Sequence, residues 1–271
     1  MNNRNKQAVA GLVEEWRAGG IVNGDVVLLH SSTNRLLRRM LRNGVRLTAN
    51  NVLASFQQAV GERGTLVLPL FNFDFADGIA FDIRSTRSKM GVVTEAARVV
   101  PGAVRTGHPM YSFAALGEQA HMFRNLTNVS GYGNDSPFAL LLELGGKIGV
   151  LDLSDQDSMT FYHHVEEMHD VPYRYHKVFE GPYTGWDGIE QRRRFSVFVR
   201  DLDRGVETDV NPMGEKLWDL GLYHGRRPRE GSGLRTINAH ALYDAVSDAI
   251  RSDSAEGLLY RISKTCQGRT E

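Results

Sequence analysis

A single cysteine, Cys266, stands in 271 residues. The chain therefore forms no internal disulfide and cannot build a thiolate zinc site. Charge of one sign is also missing: Lys and Arg total 32, and so do Asp and Glu. No global field draws the chain to nucleic acid or to an anionic membrane, so neither is an expected partner. Long apolar runs are lacking as well. None approaches membrane-spanning length, and the polar start, residues 1–7, has no apolar core of a signal peptide. What remains is ordinary for a globular chain, with 41% hydrophobic and 24% charged residues. Its length supports a full core, read as one domain over residues 1–271 with residues 1–6 flexible. A cytoplasmic enzyme or binding protein is the expected class.

Apolar spacing sets the elements. Val9, Leu12, Val13 and Trp16 recur at helical intervals before Gly19-Gly20. Residues 25–30 form a short apolar run that reads as a buried strand and delivers Ser31-Ser32-Thr33 to a loop. Thr48 is an expected N-cap for a helix through Val60. Residues 65–71, 111–116 and 147–153 read as further buried strands. Helices are expected over 91–100, 117–126, 137–144 and 238–251, with loop over 72–90. Residues 195–200 and 206–210 look like a hairpin around Asp203-Arg-Gly205. Strands alternating with helices predict an α/β fold, a mixed central sheet with helices on both faces. In such sheets ligands sit beyond the carboxyl ends of the strands.

Two segments carry candidate chemistry. In Thr106-Gly-His-Pro-Met-Tyr-Ser112, proline forces the preceding His108 into extended backbone at the mouth of a strand. That residue reads either as a reactive imidazole or as a strand-capping one. It reaches the ligand rim only if its strand runs antiparallel to the others. Downstream, Asp157 or Ser158 is the expected cap of a helix on which Thr160, His163 and Glu166 fall three apart, with Glu167 beside them. His163, His164, Glu167 and His169 are potential ligands, but their spacing does not match the two-His i, i+4 pattern of zinc hydrolases, so no metal is expected. A surface helix with acid–imidazole pairs and a binding edge for a cationic acceptor both fit.

The chain resembles the aminoglycoside 3-N-acetyltransferase family. The likeness lies in Leu28-Leu-His-Ser-Ser-Thr33, Gly64-Thr-Leu-Val-Leu-Pro69, Phe81-Asp82, Ser88-Lys-Met-Gly91, His108-Pro109, Ser112-Phe-Ala-Ala-Leu-Gly117, Asp135-Ser-Pro137 and Leu144-Gly-Gly146. It continues in Asp157, Thr160, His163, Glu166 and Val171-Pro-Tyr-Arg174, and more weakly in Asn211-Pro-Met-Gly214. The resemblance implies an acetyl-CoA-dependent N-acetyltransferase, with CoA and a small amine acceptor as partners. Ser31, Ser32 and Thr33 would line the thioester end, and Ser88, Met90, Gly91, Ser112, Phe113 and Ala114 would flank the pantetheine. His108 would be the catalytic base. Glu166 or Asp157 would orient it, and Asp157, Thr160, His163 and Glu166 would form the acceptor side.

These residue types suit aminolysis of a thioester. An imidazole takes a proton from the attacking amine, and hydroxyls or amides stabilise the oxyanion. Direct transfer fits better than an acyl-enzyme, because no Gly-x-Ser-x-Gly elbow surrounds either serine. The even charge and the unusual 72–80 stretch point to an amino sugar of a polysaccharide or nucleotide, or to an aminoglycoside. Arg192-Arg-Arg194 and Arg226, Arg227 and Arg229 read as phosphate holders or as solvated loop charges. A Ser/His hydrolase and a non-catalytic CoA- or sugar-binding relative are the competing classes.

Overall fold

The computed structural model describes residues 3–230 and 232–263. Cys266 lies outside the described residues. Helix α1 (Asn3–Ala18) buries Val9, Leu12, Val13 and Trp16 on one stripe. Residues 3–6, expected to be flexible, are its first turn. Strand β1 (Val26–Ser31) leads through Ser32-Thr33 into α2 (Asn34–Arg42), which packs Leu36, Leu37 and Met40 against the core. The Thr48 side chain accepts from Asn51 N and caps α3 (Ala49–Val60), with the Asn51 side chain completing a capping box. Then follow β2 (Thr65–Pro69), β3 (Phe81–Asp82), α4 (Val92–Arg98), β4 (Val104–Arg105) and β5 (Phe113–Gly117). After β5 comes a short 3-10 turn, Glu118–Phe123, where a longer helix is expected. Ser136 caps α5 (Pro137–Glu143), whose proline occupies the first turn, where a missing N–H costs nothing. The order continues β6 (Lys147–Leu151), α6 (Phe161–Met168), β7 (Arg174–Thr184), β8 (Glu190–Arg200), β9 (Val206–Thr208), α7 (Asn211–Asp219), β10 (His224–Gly225), β11 (Leu234–Asn238), α8 (Ala239–Arg251) and β12 (Tyr260–Ile262).

Seven strands form the central sheet in the order β10-β11-β6-β1-β2-β5-β4. Strand β1 is parallel to β2 and β6, whereas β5 and β11 run antiparallel to their neighbours β2 and β6. The sheet is therefore mixed, as expected. Successive residues of β1 point into two separate cores. Val27 and Leu29 pack with Trp16 of α1 and Phe56 of α3, while Leu28 packs with Phe161 of α6 and Leu242 of α8. Helices cover both faces. Among the described residues no helix is long and apolar enough to cross a membrane.

The expected hairpin between residues 195–200 and 206–210 does not form. Strand β8 instead pairs with β7 over eleven residues, from Arg174↔Arg200 to Thr184↔Glu190, while β9 pairs with β12. The upstream partner offers a far longer ladder. Within it, glycine at position 181 makes room for the Phe75 ring, which a Cβ there would meet at 3.0 Å. This β7–β8 ribbon reaches the loop between β5 and α5: Gly131 N donates to Ser196 O and Ser196 N to Val129 O. The ribbon thus roofs the loops that carry the candidate chemistry.

Candidate functional site

The carboxyl ends of β1, β2 and β6 open onto a cleft of about 380 Å³. It is lined by His30, Ser31, Ser32, Thr33, Pro69, Met90, Gly91 and Asp157, among others. Gly91 takes φ 122° at the start of α4, a backbone region L side chains rarely adopt, so glycine is required there. Ser88 is not on the wall. Its Oγ accepts from Met90 N and pairs with Thr94 Oγ1, shaping the turn that presents Met90 and Gly91. The cleft also holds a residue that sequence reasoning passed over. His30 is buried, burial lowers its imidazole to about 4, and its Nε2 lacks a hydrogen-bond partner.

Three residues expected beside the pantetheine are not at the cleft. Ser112 Oγ accepts from the buried guanidinium of Arg105, which also donates to the carbonyls of Ile83 and Thr86. Phe113 is enclosed by Phe71 and Phe138, edge to face at 5.2 Å each. Ala114 points into the opposite core with Leu66 and Leu68. Phe113 and Ala114 are buried because β5 is an inner strand, and Ser112 is buried just ahead of it.

His108 is likewise set back from the cleft. The antiparallel course of β5 does bring its backbone to the ligand rim, with Phe113 opposite Pro69. The ring, however, is fully buried. Nδ1 accepts from Tyr111 N at 3.1 Å, and Nε2 donates to Ser196 O at 3.2 Å. Both nitrogens are spent on backbone, and burial holds the group down to about 4. A ring with no free nitrogen cannot take a proton from substrate. His108 also lines neither the cleft nor the cavity described next, so it is not brought together with Ser31 or Ser32 there.

The imidazole that does face a cavity is His163. It lies on α6, which starts at Phe161 with no side-chain cap, later than the expected Asp157 or Ser158. Ser158 Oγ instead donates to Ser154 O, and Asp157 Oδ2 accepts from Ser154 Oγ. His163 lines a cavity of about 320 Å³ together with Tyr111, Tyr132, Arg174, Lys177, Phe198 and Arg200. Its Nδ1 lies 2.7 Å from Glu166 Oε2, one helical turn on. Glu166 is wholly buried, and Arg174 Nε lies 2.8 Å from the same oxygen. Burial alone would raise the Glu166 carboxyl, but Arg174 and His163 outweigh it and keep the group below its usual range. A carboxylate can only accept, so Nδ1 carries the proton and Nε2 is the basic nitrogen. Burial, reinforced by Arg174, lowers His163 from 6.5, and the ring is neutral near pH 7.

Thr160 and Asp157 lie outside this cavity, with Asp157 on the cleft wall instead. His164 is buried with Nδ1 on Tyr132 O, and His169 reaches Ser247 Oγ. No group of three or more His, Cys, Asp or Glu among the described residues could hold a metal ion. Arg192 and Arg194 pair with Glu180, and Arg227 pairs with Glu215, which leaves those three guanidinium groups committed to carboxylates. Arg226 lines separate surface hollows near Gly233. Arg174, unassigned from the sequence, had a signal in Val171-Pro-Tyr-Arg174. Tyr111 and Tyr132 had none, because each matters through packing across loops.

An aromatic partition divides cleft from cavity. From His30 the rings run to Phe71 (6.5 Å), Tyr111 (4.8 Å), Tyr132 (4.8 Å) and His163 (5.3 Å). Tyr111 belongs to both sides, touching Phe71 and lining the His163 cavity.

The sequence profile of one family, Aminoglycoside 3-N-acetyltransferase, matches residues 28–250. Among curated proteins, Aminoglycoside N(3)-acetyltransferase VII of Streptomyces paromomycinus is 32% identical over 205 residues, covering 68% of each chain. Aminoglycoside N(3)-acetyltransferase VIII of Streptomyces fradiae is 31% identical over 218 residues, covering 72% of each. Among solved structures, AAC-IIIb in its binary complex with CoASH superposes with a TM-score of 0.76 at 23% identity, covering 90% of this chain and 96% of that one. That last likeness is one of fold.

Proposed function

Because the chain belongs to the aminoglycoside 3-N-acetyltransferase family, and is thereby an acyltransferase that uses acetyl-CoA, we propose that it acetylates an amine of an amino sugar or aminoglycoside by direct transfer, with His163 as general base. The observation that carries the reading is the 2.7 Å contact between His163 and the buried Glu166 on a cavity wall. The cleft bounded by Ser31, Ser32, Thr33, Met90 and Gly91 is narrow and open to solvent at the sheet's ligand rim, which suits the pantetheine arm of the donor. That a relative of the same fold was solved with CoASH supports the assignment. Asp157, on the cleft wall, belongs to the donor side and takes no proton.

In this scheme the acetyl group arrives past Tyr111. The acceptor's nitrogen lone pair attacks the thioester carbonyl, and His163 Nε2 takes the amine proton. Ser31 and Ser32 line the donor arm on the cleft side. Collapse breaks the C–S bond and releases CoA thiolate, which takes up the proton. Glu166 is a positioning residue: it fixes the tautomer and steadies the imidazolium as charge develops. Arg174 in turn holds Glu166 ionised. The test is release of free thiol from acetyl-CoA with a panel of aminoglycosides, free amino sugars and nucleotide-linked amino sugars. Acetylated amine in at least one pairing is the expected result; thiol release without any amine product would mean hydrolysis and would sink the proposal.

A further inference from the structure

The cavity around His163 has walls of one charge. Arg174, Lys177 and Arg200 line it, and no Asp or Glu does. Glu166 neutralises Arg174. Lys177 and Arg200 are exposed, and among the described residues neither forms an ion pair. Their environment makes this more than loose surface charge. Arg200 stands directly opposite Arg174 in the β7–β8 ladder, a cross-strand pairing of like charges that costs stability. On the same ribbon Arg192 and Arg194 share Glu180, and Arg193 lies over the Tyr183 and Phe195 rings. At the cavity Lys177 and Arg200 have no counter-charge among the described residues. Between them and His163 the walls are aromatic or aliphatic: Tyr111, Tyr132, Phe179, Phe198 and Val199. Such walls accept the face of a sugar ring or a base.

A polycationic acceptor meets repulsion here. A phosphate carries about −1.5 to −2 near pH 7, which matches the two cations in excess. We propose that the acceptor is a phosphate-bearing amino sugar, free or nucleotide-linked, whose phosphate is held by Lys177 and Arg200 while its amine faces His163. The assignment rests on His163 being the base and adds the acceptor's charge class. CoA also carries phosphates, and the same two cations could serve the donor instead; the kinetics below separate the two sources.

The experiment compares glucosamine 6-phosphate, UDP-linked glucosamine, glucosamine and gentamicin as acceptors for the unmodified enzyme. It then repeats the series with Lys177→Ala and Arg200→Ala, whose folding is checked by thermal melting. Expected is a preference for at least one phosphorylated acceptor over its unphosphorylated counterpart of tenfold or more in kcat/KM. Each substitution should shrink that preference about tenfold, through the acceptor's KM and with the acetyl-CoA KM little moved. A loss confined to the acetyl-CoA KM would assign the cations to the donor and overturn the proposal. Gentamicin acetylated as well as or better than every phosphorylated acceptor would overturn it too, while leaving His163 as the base. No acetyl transfer to any amine would overturn both readings.

Discussion

His108 and His163 invite direct comparison, because each ring packs against a tyrosine and each is lowered from 6.5 chiefly by burial. They differ in what holds them. The nitrogens of His108 go to two backbone groups, Tyr111 N and Ser196 O, which fix the ring and leave nothing over. His163 gives one nitrogen to a side-chain carboxylate and keeps the other for a cavity. A depressed imidazole is thus tied to backbone in one place and, in the proposed scheme, serves as a base in the other. The partner chemistry, rather than the burial, separates the roles.

The sharpest break of this comparison is His163→Ala. Transfer should fall by about 10²- to 10⁴-fold, the worth of a positioned general base, with acetyl-CoA binding retained. Steady-state kinetics beside a CoA titration check this. Near-normal turnover with a verified acceptor would return both histidines to the structural class.

Next in size is Glu166→Gln, which removes the counter-charge of a buried guanidinium. Stripping one partner from such a pair costs about 3–5 kcal/mol of stability, readable as a lowered denaturation midpoint. Glu166 also raises the basicity of His163, so its loss should move the acidic limb of the kcat profile to lower pH while kcat itself drops. A merely structural carboxylate would leave that limb where it was. Restoring the charge with Glu166→Asp should recover part of the limb and little of the packing.

His108→Ala should show the converse pattern. The ring is wholly buried, and its removal leaves Ser196 O and Tyr111 N without their partner. Cavity and lost hydrogen bonds together cost about 2–4 kcal/mol. Turnover per folded molecule should stay within about threefold of normal. A kcat loss of the His163→Ala size, at full folding, would put the proton transfer back on His108.

What could be read from the sequence follows the range of the interactions involved. Val26–Ser31, Lys147–Leu151 and the stripe Val9, Leu12, Val13, Trp16 announce themselves by local pattern, and the structure agrees. Glu166 and His163 could also be paired from their spacing, because i, i+3 on a helix is a contact. The fate of His108 could not be read so. Its ring is closed in by Phe195 and Ser196, nearly ninety residues downstream, on a strand whose true partner is disguised by exposed polar residues and Gly181-Pro182. Ser112 carried a similar ambiguity: nothing near it in sequence signals that Arg105 claims its hydroxyl. Short-range pattern located both candidate imidazoles; only long-range packing ranked them.

Acid separates the two histidines without altering either. An unfolded chain takes up protons on its histidines near 6.5, whereas folded His108 resists until about 4. Protons therefore favour the unfolded state as pH falls through that interval. The stability that neutral His108 contributes is fully present above 6.5 and shrinks by on the order of 3 kcal/mol toward pH 4. Burial of His30, also held near 4, adds a loss of the same sign over the same range. In the proposed scheme activity responds differently, since it depends on neutral His163 in the folded enzyme. Its acidic limb should lie below 6.5 and titrate as a single group, in protein that melts as a folded species throughout. In His108→Ala the acid slope of stability should flatten while the activity limb stays in place. If the activity limb moved with the stability slope instead, protonation of the core rather than of the cavity imidazole would be limiting turnover.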